Sequence, residues 1–181
     1  ILVTSPGSEA LLESKVRILN VNNYRFAEEL DSSDKSAILS EVGSNGLSYS
    51  FVGYSVGIGK SSFGDVDGSK HSPIIGWAYD GNPIYGPYGF DEENNSSSES
   101  RILKTGYILD SSQVQNRPPT SSFASGFFVE DYTFNDSGDL DQNNGRFCKT
   151  PDFPNGTYAY FAGVSTVTSN PEFPYFIGES Y

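Results

Sequence analysis

The sequence has no methionine, one cysteine, one histidine and one tryptophan among its 181 residues. A single cysteine cannot form an internal disulfide, and with one imidazole it offers two soft ligands where a structural zinc site usually takes about four. No tightly bound transition metal is expected. Basic residues are also few: 11 Lys and Arg face 23 Asp and Glu, for a formal charge of −12. A phosphate-binding surface needs the opposite balance, so no nucleic-acid partner is expected. No apolar run approaches the roughly 18 residues that mark a membrane-spanning helix, so membrane insertion is not expected either. Because Ile1 stands where an initiator methionine would, the chain reads as part of a longer protein, with any targeting signal outside it.

What the chain does have is rings: 13 Phe and 12 Tyr, for 14% aromatic residues in all. Aromatic side chains bury the most area per residue, and a disordered acidic chain lacks them, so a folded domain is expected. Its length suits one core. Short aromatic and β-branched runs separated by Gly, Pro, Asn and Ser predict strands at 15–21, 47–56, 74–79, 102–109, 126–134, 157–162 and 173–177. The one helical window is 24–42, where an Asp-Ser-Ser-Asp stretch offers an N-cap. The expectation is a mainly β, single compact domain of short strands and long loops, with one or two short N-terminal helices. Along the chain it divides into an N-terminal segment (1–46), a first signature region (47–90), a variable insert (91–137) and a second signature region (138–181). Residues 64–70, 91–100 and 135–144 read as solvated loops.

Two motifs mislead. Gly53-Tyr54-Ser55-Val56-Gly57 has the spacing of a nucleophile elbow, but no helix start follows it and the sole candidate base, His71, comes too soon for a hydrolase sheet to intervene. Gly59-Lys60-Ser61 nearly spells a phosphate loop, but Tyr54 stands where its first glycine belongs. Asp136, Asp139 and Asp141 form the best hard-cation candidate, because carboxylates suit calcium. Their spacing is not that of an EF-hand, and Asp-rich turns form without any ion. Calcium is thus the one cofactor considered. Asn95, Asn135 and Asn155 head glycosylation sequons, relevant only in a eukaryotic secretory cell.

The densest signal runs from His71 to Phe90. Trp77, Tyr79, Tyr85, Tyr88 and Phe90 fall close together around an Asp80-Gly81-Asn82 turn. They read either as an aromatic corner of the core or as an aromatic cleft with His71 and Asp80 as its polar groups. His71-Ser72-Pro73 and the run from Gly76 to Pro87 resemble the first signature of the YHYH domain family. The segments 138–141, 144–148, 156–161 and 173–178 resemble its second. The first signature is most like versions in long structural proteins of cyanophages and related marine phages. At the stretch that names the family, Tyr-His-Tyr-His, this chain has Tyr158, Ala159, Tyr160 and Phe161. Both histidines, which would be the obvious metal ligands or acid-base groups in relatives, are replaced.

The resemblance implies a non-catalytic structural domain of a virion tail or baseplate, or of an extracellular protein, serving assembly or host-surface attachment. Its partners would be other virion or cell-surface proteins and a surface glycan. Two other readings stand beside it: a carbohydrate-binding module, and a metal-dependent enzyme relative that has lost its histidines. The residues expected to bind are His71, Trp77, Asp80, Tyr85, Tyr158 and Tyr160. A carbohydrate module requires exposed rings among them, whereas an architectural domain requires buried ones.

Overall fold

A computed structural model describes residues 2–3, 38–43, 46–50, 54, 63–65, 68–167 and 170–178. It is mainly β, with short strands. Its centre is a five-stranded sheet in the order β1-β4-β5-β11-β10, formed by Leu2–Val3, Ile74–Trp77, Pro83–Tyr85, Thr157–Phe161 and Gly145–Cys148. The strands β4 and β5 make a tight hairpin. Asp80 Oδ1 accepts from the Asn82 amide at 2.9 Å, and Gly81 takes a φ of +86°, open to glycine without strain. The strands β10 and β11 are likewise antiparallel, and the two hairpins are joined by a parallel pairing of β5 with β11, with Ile84 opposite Tyr160 and Tyr85 opposite Phe161.

Parallel strands are usually covered on both faces, and here the central pair is. Ile84 and Tyr160 face one cluster with Tyr54, Ile75, Ala162, Val164 and Phe176. Tyr85, Ala159 and Phe161 face the other, with Leu103, Leu140 and Cys148. The two-residue alternation of a strand thus sends Tyr158 and Tyr160 to one side and Ala159 and Phe161 to the other. Three two-stranded ribbons complete the described strands: β2 (Ile38–Gly43) with β3 (Gly46–Ser50), β6 (Tyr88–Phe90) with β7 (Ser100–Ile102), and β8 (Tyr107–Leu109) with β9 (Tyr132–Phe134).

Several expectations change. Residues 38–42 of the helical window form β2, paired with the strand that follows; the rest of that window, and the strand expected at 15–21, lie outside the described residues. The run 102–109 is two strands, because the chain leaves β6 and joins β9 around Gly106, whose carbonyl accepts from the Asn135 amide at 2.9 Å. In 126–134 a 3-10 turn, Val129–Asp131, precedes β9. Residues 173–177 are not a strand. Pro174 has no N–H to give a ladder, and the amides of Tyr175 and Phe176 bond locally to Glu172 and Pro174 carbonyls. Phe176 still reaches the core. The loop 135–144 is not wholly solvated: Leu140 is 2% exposed in the cluster beneath Tyr85.

Candidate functional site

The segment that enters β4 is fixed by a small polar network. Ser72 Oγ donates to Asp65 Oδ2 at 2.6 Å, Tyr54 donates to the same oxygen at 2.5 Å, and the Tyr88 amide donates to Ser72 Oγ at 3.0 Å. A methyl group on Gly86 would strike both Asp65 Oδ2 and Ser72 Oγ, so the network requires glycine there. Burial and the Asp65 carboxylate push the Tyr54 phenol far above its ordinary range.

This network aims His71 inward. Its ring is 4.8 Å from Tyr85, 4.8 Å from Phe90 and 5.8 Å from Phe161, centroid to centroid. His71 Nδ1 lies 2.8 Å from the Ser72 carbonyl oxygen, which can only accept, so Nδ1 carries the proton. Nε2 is then a lone-pair acceptor, and it has no hydrogen-bond partner among the described residues. Burial holds the imidazole below its usual value, and Arg146 pushes the same way against the Ser72 carbonyl, Asp152 and Asp65. Arg146 itself is buried, its guanidinium 5.7 Å from the Phe161 ring and donating to the Phe90 carbonyl.

His71 lines a half-open cleft of about 810 Å³, together with Asp65, Lys70, Phe90, Pro151 and Asp152. Its far wall is the turn after β10. The Tyr85 hydroxyl lies 2.8 Å from Thr150 Oγ1 and donates to Asp152 Oδ2 at 3.1 Å. The Phe153 amide donates to Thr150 Oγ1 at 3.0 Å, which closes the turn on itself. Burial raises the Tyr85 phenol, so it stays protonated and remains a donor.

The expected binding residues do not form one cleft. His71 and Tyr85 lie on the Phe161 face of the sheet. Tyr160 and Tyr158 lie on the other, with their rings 5.2 Å apart. Tyr160 donates to Asp80 Oδ2 at 2.6 Å and Tyr158 to Asp141 Oδ2 at 2.8 Å. For Asp80, partial burial would raise the carboxyl, but bonds from Tyr160 and Asn82 outweigh it and hold the group below its ordinary range. Asp80 is thus a hairpin brace, tied to β11. Trp77 is not the buried corner of a core: it is 45% exposed, and Tyr79 is 76% exposed. Trp77 stands opposite Pro83, which shares strand parity with Tyr85, so the indole lies on the cleft's side of the sheet. There it meets Phe153 edge-on at 6.4 Å.

Two of the three calcium candidates, Asp139 and Asp141, are engaged by protein donors. Asp139 takes a bidentate pair from Arg101 at 2.7 and 2.8 Å and the Lys104 amide at 2.8 Å. Asp141 Oδ1 accepts from the amides of Asn143 and Gly145, and Asp136 sits in an exposed turn at a φ of 57°. Among the described residues no group of three or more His, Cys, Asp or Glu is placed to hold a metal ion. Sequence reasoning missed Asp65, Thr150 and Asp152. The one signal for Thr150 and Asp152 was the Thr150-Pro151-Asp152 turn behind a signature segment, and nothing marked Asp65.

A family model for the YHYH protein matches residues 41–173, well over half of the chain, and the chain belongs to that family. No curated protein and no solved structure matches it. The two positions where the family's name places histidines, 159 and 161, point to the His71 side of the sheet, where Ala159 and Phe161 are both fully buried.

Proposed function

We propose that the domain is a non-catalytic attachment module of a virion or other extracellular assembly, and that it recognises a surface saccharide through Trp77. The exposure of Trp77 carries this reading. Most of the described aromatic residues are buried or half-buried, Tyr79 and Phe147 apart, whereas the chain's only tryptophan stays 45% exposed beside Phe153, above a turn pinned from below by Tyr85. An indole so held presents an apolar face to the C–H face of a sugar ring at little ordering cost, and neighbouring carboxylates such as Asp152 can accept hydrogen bonds from sugar hydroxyls. Its origin in a phage tail or baseplate rests on the wording of the first signature. A non-catalytic role fits the carboxylates of Asp65, Asp80, Asp139 and Asp141, each of which accepts from protein donors, and the replacement of both name-giving histidines.

Because the chain has a single tryptophan, its emission reports on this position alone. A neutral oligosaccharide that binds should change that emission, and Trp77→Ala should weaken binding about tenfold or more, a loss of about 1.4 kcal/mol. The same substitution should cost only about 1 kcal/mol of stability, not the roughly 3–5 kcal/mol of a buried aromatic. A large loss of stability, or unchanged binding, would contradict the proposal.

A further inference from the structure

We propose that the His71 cleft is the deep subsite of the same saccharide groove, and that His71 Nε2 accepts a hydrogen bond from a hydroxyl of the sugar unit seated there. This rests on the attachment reading given for Trp77. The two places are joined by one turn: Pro151 and Asp152 line the cleft, and the next residue, Phe153, lies against Trp77. That turn is braced by Tyr85 and Thr150, so the groove wall is fixed before any ligand arrives.

The chemistry of the floor selects the ligand. His71 is only 9% exposed, and its Nδ1 proton is committed to the Ser72 carbonyl, so its one remaining polar atom is the Nε2 lone pair, which is shut from solvent and has no partner among the described residues. Burying an acceptor unpaired is costly, and a ligand hydroxyl relieves that cost. Three carboxylates line the cleft, Asp65, Glu99 and Asp152, against one ammonium, Lys70. With a formal charge of −12 over the chain, that lining repels acidic sugars and accepts neutral ones. The volume, about 810 Å³, lies within the usual range of small-ligand pockets, roughly 300–1,000 Å³.

The single histidine makes the test direct, since one imidazole gives one set of ring-nitrogen resonances. The 181-residue chain with ¹⁵N-labelled histidine is titrated with maltotriose, cellotriose and N-acetylchitotriose, with sialyllactose as the anionic control, while Trp77 emission is followed in parallel. At least one neutral trisaccharide should change both the indole emission and the Nε2 resonance. Its parent monosaccharide should change the indole alone, and sialyllactose should leave Nε2 unmoved. His71→Phe should lower trisaccharide affinity about tenfold and leave monosaccharide affinity unchanged; if that variant does not fold, the resonance titration of the unmodified chain still decides. A neutral trisaccharide that alters Trp77 emission but not Nε2 overturns this inference and leaves the attachment reading intact. If none of the saccharides alters Trp77 emission, the attachment reading falls, and this inference with it.

Discussion

At the scale of single residues, His71 couples the fold to pH. Its folded value lies below the ordinary 6.5, first because of burial, then because Arg146 faces it, with the Ser72 carbonyl, Asp152 and Asp65 acting the other way. Above pH 6.5 neither the folded nor the unfolded chain protonates it, and its contribution is fully present. As pH falls below 6.5 the unfolded chain takes a proton that the folded chain refuses, so stability drops until the folded value is reached, by up to about 1.4 kcal/mol per pH unit. Glu172, pushed up by burial, contributes with the opposite sign, so the effect is read as a difference. Denaturation midpoints of the unmodified chain and of His71→Gln, compared between pH 7.5 and 5, should converge as pH falls. Parallel curves would refute the assignment. The importance of His71 was legible in the sequence because it is the only imidazole and opens the first signature. Its separation from Asp80 was not, since only the parallel pairing of β5 with β11 decides which side of the sheet each residue joins.

At the scale of elements, the insert between the signatures is ordered by an ion pair that no sequence pattern announced. Arg117 is paired with both oxygens of Asp131, and their side chains are 6% and 0% exposed. Asp131 also accepts from the amides of Gly126 and Phe128, while Arg117 donates to the carbonyls of Pro118, Phe123 and Ala124 and lies 5.1 Å from the Phe128 ring centre. With every donor and acceptor engaged, the bonds of Asp131 outweigh its burial and hold its carboxyl below the ordinary range. Removing one partner strands the other charge: Arg117→Ala should cost about 3–5 kcal/mol, whereas replacing both by apolar residues should cost less. Urea unfolding of the single and double variants measures the difference, and equal losses would refute it. The strands β4 and β11 were legible because apolar residues fill four or five consecutive positions between turn residues. The segment 173–177 misled for the same reason, its apolar residues being packed by turns around Pro174.

At the scale of the whole molecule, a single pairing joins the two signatures. Ile84 and Tyr160 lie about 75 residues apart and sit side by side at the centre of the sheet. The mainly β class was legible from composition and punctuation, but this contact was not, since no local pattern names the partner of a short buried strand. It has a consequence for synthesis. The β4–β5 hairpin leaves the ribosome before β11, yet both faces of Ile84 and Tyr85 lack their cover until β11 and Phe176 have followed. Closing a loop of that length before any reward is collected makes folding slow, on the millisecond-to-second scale typical of non-local β topologies. Nascent chains stalled with residues only up to about 150 outside the ribosome should therefore be digested by a low dose of protease within minutes, and those stalled after residue 181 has emerged should resist it. Equal resistance at both lengths would mean that the N-terminal strands fold without their partner.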